Sequence, residues 1–366
     1  MNILVKFIAV SSIFIGSTIT IGAKDYFARD FGAKPDGVTL NTASLQAAID
    51  FASAQGGGRV VLDKGGYVSG TVYLKSNVIL HIEKEAALLS SLNPYDFVRD
   101  QDAKWTSLVF AIKQNNVGVT GEGMINGRGF EVATKYVDFV HMGLIDDPLV
   151  LDRVREILRP QNLHFYKCDN ITIKDITLKD PASWNQQYDK CSNILVDGVK
   201  VDAKSYWNND GIDIVDSRDV IIRNCYFDAA DDVYCFKSHS NDGVSENILV
   251  ENCVGRSSAN GIKFGTYTRG KFRHFRFKNM TIFDTYRSAI TIATVDGAQI
   301  EDVEIDSLKS LNTGNPIFLR TGTRNVNDGQ QAYLKDIVIK NMYAEVPLDK
   351  PDAGYSYEGP VEDLPR

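Results

Sequence analysis

Three aspartates stand out as residues able to do chemistry together: Asp210 and the consecutive pair Asp231-Asp232. Carboxyl groups crowded into one place repel, so at least one of them should keep its proton to unusually high pH. A carboxyl that holds its proton can serve as a general acid, and an ionised neighbour as a general base. Such a cluster could give up one proton and take another in the same reaction. Asp210 and Asp232 are 22 residues apart, so the reading needs a fold that closes that gap.

An internal repeat supplies such a fold. A polar residue, then apolar, any, apolar, any, polar, apolar, occurs as Asn170-Ile171-Thr172-Ile173-Lys174-Asp175-Ile176 and again from Asn193, Asp219, Asn247, His274, Asp302 and Asp336. The steps between starts are 23, 26, 28, 27, 28 and 34 residues, and Asn77 and Asn116 begin earlier copies. Alternation of period two means strands with one buried face. Units this short hold two or three strands and turns but no helix long enough for a crossover. Stacked coil upon coil they give an all-β, right-handed parallel β-helix. The Asn, Asp and Gly residues between strands suit turns in the left-handed region. A leucine-rich-repeat horseshoe is set aside because the Leu spacing is wrong and the strands are rich in Ile and Val.

A second register runs beside the first. Segments beginning at Asp210, Asp232, Asn260, Ser288 and Asn315 fall in successive repeats, so their first residues should stack along one edge at about 4.8 Å per coil. Asp210 and Asp232 then become neighbours in one surface groove, with Asp231 at the turn beside them. A lone turn aspartate is ordinarily structural; three on two adjacent coils point to chemistry.

The ends and the composition frame this. Thr42–Ala54 reads as a capping helix, with Leu45, Ala48, Ile49 and Ala52 on one face and Gly56-Gly57-Gly58 stopping it; Arg59-Val60-Val61-Leu62 would start the first coil. Residues 1–23 read as an export signal: Lys6, an apolar run from Phe7 to Ile21, then Gly22-Ala23. That run is too short and too rich in Ser, Thr and Gly for a membrane span, and no later segment is long enough. An exported protein, whether secreted, periplasmic or surface-held, is therefore expected, with one domain over 24–366. After Met342 the chain turns Pro- and acid-rich and shows no closing strand; either this tail covers the last coil or the sequence stops short of one. Five cysteines (Cys168, Cys191, Cys225, Cys235, Cys253) are not a disulfide framework, and no CxxC or His/Cys cluster suggests a metal. The formal charge is −7, or −8 without Lys6 (39 Lys+Arg against 47 Asp+Glu), which points away from nucleic acid and anionic membranes as partners.

At the aspartates the sequence resembles glycoside hydrolase family 28, the polygalacturonases and rhamnogalacturonan-cleaving relatives. That family's Asn-Thr-Asp-Gly-Ile-Asp, Gly-Asp-Asp and Ile-Lys-Ser meet Asn208-Asn209-Asp210-Gly211-Ile212-Asp213, Ala230-Asp231-Asp232 and Phe236-Lys237-Ser238. Gly32-Ala33-Lys34-Pro35-Asp36-Gly37, Leu74-Lys75-Ser76-Asn77-Val78 and Arg159-Pro160 are similar too. The resemblance implies an inverting hydrolase of pectic polysaccharide, with Asp231 as acid, Asp210 and Asp232 activating the water, and no metal or organic cofactor. Asn208, Lys237 and Asn260 are expected to contact the sugar, and a monomer is expected.

Two departures alter the substrate subsite. The family's Gly-His-Gly falls at Ala259-Asn260-Gly261, and its Arg-Ile-Lys at Thr291-Ile292-Ala293, so the histidine and both cations that would grip a galacturonate carboxylate are replaced. Lys263 and Arg287 are candidates to restore positive charge, His239 to replace the histidine, and Trp184 and Trp207 to face a sugar ring. The departures shift weight from homogalacturonan to rhamnogalacturonan or another substituted chain. A polysaccharide lyase using calcium in the Asp-rich groove, and a non-catalytic carbohydrate-binding solenoid, are the competing readings. Tyr136–Leu158 is expected to be a groove-shaping insertion.

Overall fold

A computed structural model describes residues 24–147, 154–322, 324, 331–349 and 351; the expected export signal and the last residues of the tail lie outside these. Every strand pairing recorded between coils is parallel, and the coils build three sheets. The first runs through Gly58–Leu62, Val78–Ile82, Asn115–Thr120, Asp169–Lys174, Ser192–Asp197, Arg218–Arg223 and Val244–Glu251. The second runs through Gly65–Ser69, Ala86–Ser90, Met124–Asn126, Thr177–Lys179, Lys200–Ala203, Tyr226–Ala229 and Val254–Ser257. The third holds Val72–Leu74, Ser107–Ile112, Gln161–Tyr166, Gln186–Asp189, Ile212–Val215, Tyr234–Ser238 and Asn260–Thr268. Two long strands, Lys271–Thr294 and Gln299–Thr321, then pass through all three sheets. This is the right-handed parallel β-helix, the hand that parallel crossovers take.

The turns explain the repeat. Its starting residues Asn77, Asn116, Asn170, Asn193, Asp219, Asn247, His274, Asp302 and Asp336 all have φ between 53° and 65°. This left-handed region is costly for most side chains and least so for Asn and Asp. Their side chains also hydrogen-bond from coil to coil: Asn170 Nδ2 donates to Asn116 Oδ1 (2.6 Å) and Asn116 Nδ2 to Asn77 Oδ1 (2.8 Å). The inward residues form one continuous core, aromatic at Phe236, Phe264, Phe272, Phe275 and Phe277. All five cysteines are buried and unpaired, packing as small apolar groups.

Helix α1 (Thr42–Ala54) buries Leu45, Ala48, Ile49 and Ala52, the face expected. The solenoid starts earlier than expected, however: Asp25–Phe27 already pairs with Gly58–Leu62, and Asp36–Leu40 with Gly65–Ser69. A second helix, α2 (Gly129–His141), was not expected. It lies in the long connection between Met124–Asn126 and Gln161–Tyr166 and buries Val132, Ala133, Tyr136 and Val140. This connection leads from the second sheet to the third, and so do the shorter ones that carry Asp210 and Asp231 in later coils. The insertion therefore rises from the edge that bears the aspartates.

Candidate active site

Register brings the aspartates together. Ile212 pairs with Tyr234, Tyr234 with Ile262, Asn260 with Ser288 and Ser288 with Asn315. Asp210 and Asp232 stand two residues before the first pair, so they occupy neighbouring rungs, and their carboxylate oxygens come within 4.8 Å of each other. Gly211 permits this approach, since a Cβ there would lie 2.6 Å from the Val233 carbonyl. Asp231 Oδ1 accepts the Asp232 N–H (2.9 Å), and the Asp231 N–H donates to the Asn209 carbonyl (3.2 Å). Asp210 and Asp232 are 2% and 6% exposed, while Asp231 is half-buried.

Beneath this trio lies a charge network whose centre is Lys237. Its ammonium is 2.6 Å from Asp210 Oδ2, contacts Asp213 Oδ1, and sits 3.7 Å from the Trp184 ring centroid. Burial, reinforced by the Asp213 charge, pushes Asp210 well above the ordinary carboxylate range, against the pull of Lys237. Burial raises Asp213 too, with Lys237 opposing. Burial works against charge on Lys237, but Asp210 and Asp213 outweigh it and raise its pKa. The arrangement is an ammonium shared by two carboxyl groups, of which Asp210 holds a proton longer than an ordinary aspartate.

The other face of the trio is neutral or singly charged. Asn260 Nδ2 donates to Asp232 Oδ1 (2.6 Å), Thr291 Oγ1 donates to Asn260 Oδ1 (2.8 Å), and Lys263 Nζ lies 3.5 Å from Asp232 Oδ2. The two departures thus interlock: the asparagine and threonine that stand in for a histidine and an arginine hydrogen-bond to each other.

Several expected contacts fall elsewhere. Lys237 is 4% exposed and its donors are committed to the two carboxylates. The Asn208 side-chain oxygen accepts from Arg159 Nη2 (2.8 Å). Trp184 is 4% exposed, with Lys237 on its ring and Trp105 4.4 Å away between centroids, so it is a packed floor and not an open sugar platform. Trp207 is half-buried against the core. His239 packs edge-on to Tyr267 (5.0 Å), and Asn260, not His239, takes the place of the lost histidine beside Asp232. Burial and the charges of Lys237, Lys190 and Arg269 lower His239 to about 4. The Arg287 N–H bonds to the Ala259 carbonyl (2.8 Å) just ahead of Ser288.

Three neighbours of the trio lie in motifs quoted from the sequence but were not expected to serve the site. Asp213 had a signal, its i+3 spacing from Asp210 within one motif. Asn209 is fully buried and its amide donates to the Pro181 and Ser183 carbonyls (2.9 Å each), while its oxygen accepts the Tyr206 N–H (2.7 Å). Arg159, also fully buried, ties the insertion to this loop through the Val154 (2.8 Å) and Trp207 (2.9 Å) carbonyls and Asn208.

Asp210, Asp232 and Cys235 offer three metal-type donors within 4.8 Å. Calcium takes six to eight oxygens, and an ion here would meet a thiol and the ammonium groups of Lys237 and Lys263. The donor set does not fit calcium.

The class that the fold defines is the right-handed parallel β-helix, here with acidic side chains stacked on one sheet edge. The chain belongs to the glycosyl hydrolases family 28, which it matches over residues 61–350. It is 26% identical over 331 residues to "Probable polygalacturonase" of Vitis vinifera, covering 86% of this chain and 59% of that protein. It is 23% identical over 299 residues to the exo-poly-alpha-D-galacturonosidase of Dickeya chrysanthemi, covering 69% of this chain and 49% of that one. The chain thus spans about half to three fifths of the length of these curated relatives. Its fold matches a hyperthermoactive exopolygalacturonase of Thermotoga maritima with a TM-score of 0.67, at 22% identity over 88% of this chain and 81% of that one.

Proposed function

We propose that this protein is an exported glycoside hydrolase that cuts α-linked galacturonic-acid-containing polysaccharide by inversion. Asp231 donates the proton to the leaving oxygen, and Asp210 and Asp232 hold and activate the attacking water. The observation that supports this most is the stacking of Asp210 on Asp232, with their oxygens within 4.8 Å and Asp231 at the same turn. Asp231 is the least buried of the three and so the one a glycosidic oxygen can reach. Lys237 is a positioning residue that keeps the Asp210 carboxyl in place through Oδ2. Asn260 fixes Asp232 in the same way through Oδ1.

Membership of family 28 and the names of the curated relatives favour a pectic substrate. Thr291 and Ala293 are buried and uncharged, and Lys263 already faces Asp232. The sugar bound at that position therefore presents no carboxylate to be gripped there, which favours rhamnogalacturonan or another substituted chain over plain homogalacturonan. A lyase is disfavoured by the ill fit of calcium at the carboxylates.

Release of reducing ends from homogalacturonan, rhamnogalacturonan and xylogalacturonan tests the reading, with ultraviolet absorbance followed in parallel. The expected result is reducing ends from at least one polymer without an unsaturated product. No product from any of them by well-folded protein would overturn the hydrolase reading, and a chelator-sensitive unsaturated product would establish the lyase.

A further inference from the structure

At the far end of the same strands a different column of turn residues appears. In successive coils the strands Ser107–Ile112, Gln161–Tyr166 and Gln186–Asp189 are each followed by a lysine in the left-handed region: Lys113 (φ 55°), Lys167 (φ 53°) and Lys190 (φ 55°). Each backbone N–H bonds to the next coil, Lys113 to Tyr166, Lys167 to Asp189 and Lys190 to Val215 (2.8–2.9 Å). The repeat turns of the first sheet fill this conformation mostly with Asn and Asp, which tolerate it better. Lysine three times running is what a turn would not choose for its own stability.

The lysines differ in what holds them. Lys113 pairs with Asp102 (2.6 Å). Lys167 and Lys190 are exposed and, among the described residues, have no carboxylate within ion-pair distance. Both ammonium groups instead lie over one ring, that of Tyr166, at 5.0 and 5.9 Å from its centroid. Tyr166 itself is 9% exposed. Two like charges held near one ring repel each other, and an anion bound between them removes that cost. Nearby carboxylates feel these charges without pairing with them. Against the push of burial, Lys190 and Lys167 pull Asp189 down and Lys190 pulls Asp216 down. Asp189 is buried in the strand, Asp216 is buried in the next turn, and Asp102 is paired with Lys113. Burial raises Asp189 to about 7, which lessens its charge further.

The pair also belongs to the face of the aspartates. Lys190 follows directly the strand that pairs with Ile212–Val215, and its charge is felt at His239, which packs against Trp184, the floor under Lys237.

We infer that Lys167 and Lys190 form a distal subsite that binds a carboxylate group of the polysaccharide, a uronate unit removed from the cleaved bond. This rests on the proposed substrate class and deepens it: the acid groups that the catalytic position no longer grips are held on the opposite edge of the sheet. Adjacent coils put the two lysine backbones about 4.8 Å apart, a spacing from which their long, exposed side chains can converge on one carboxylate.

The test is binding of a galacturonate hexamer and of its methyl ester, by calorimetry, to the unaltered protein, to the double variant Lys167→Gln/Lys190→Gln and to Lys113→Gln. Loss of two partly exposed charge contacts should weaken the acidic hexamer about tenfold, leave the ester unchanged and leave Lys113→Gln like the parent. Equal affinity of parent and double variant for the acidic hexamer, no binding of it by the parent, or equal losses on acid and ester would each overturn the subsite. Because binding is read without turnover, a protein that binds through these lysines but cleaves nothing would sink the hydrolase reading and keep this one.

Discussion

Asp231 and Asp210 differ in what suits one to the acid role and the other to the base: raised proton affinity makes an ionised carboxylate the stronger base. Asp210 has the raised proton affinity, through burial and the Asp213 charge, and it is nearly closed off. Asp231 has the access. The network under Asp210 should be as critical for folding as for chemistry. Lys237→Met leaves two buried carboxyl groups without their cation, so stability should fall by about 3–5 kcal/mol. Adding Asp213→Asn should recover part of that loss, as chemical denaturation would measure. A second residue sets a pH limit. Burial raises Asp189 from 3.8 to about 7, so the folded state binds its proton more tightly than the unfolded chain. Its penalty is absent below pH 4, grows between 4 and 7, and amounts to about 4 kcal/mol above 7. Asp189→Asn should therefore raise the melting temperature at pH 8 clearly more than at pH 4, where the two proteins should nearly coincide.

At the scale of elements, what the sequence made legible was whatever repeats. The start of each coil could be read because the left-handed turn selects Asn and Asp, and the edge column Asp210, Asp232, Asn260, Ser288, Asn315 followed from counting along alternating strands. The turn rule is testable at Asn247 (φ 57°), whose Nδ2 donates to Asp219 (3.0 Å). Asn247→Val should cost about 1–3 kcal/mol through backbone strain, and Asn247→Gly distinctly less, as thermal denaturation of the pair would report. Elements that interrupt the repeat were harder to read. Helix α2 has helical spacing at Val132, Ala133, Tyr136 and Val140, yet it occupies one connection and no other coil echoes it. Side-chain commitments were also hidden. Alternation shows that Lys237 and Trp184 can face outward but not that each takes up the other's outer surface, which depends on a loop folding over the sheet. The same limit put Asn208 among the sugar contacts when Arg159, far along the chain, holds it.

For the whole molecule, the solenoid converts distance in sequence into adjacency: 22 residues of chain become one rung. The catalytic proposal depends on that conversion and on little else, since Asp231 belongs to a turn and could be neutralised without disturbing the core. The most direct test is the turnover number of Asp231→Asn on the best pectic substrate, with its melting temperature compared to the parent's. The expected result is a fall of about a hundred- to ten-thousand-fold at an unchanged melting temperature. Turnover equal to the parent's in a folded variant would show that the stacked aspartates are not the catalytic centre.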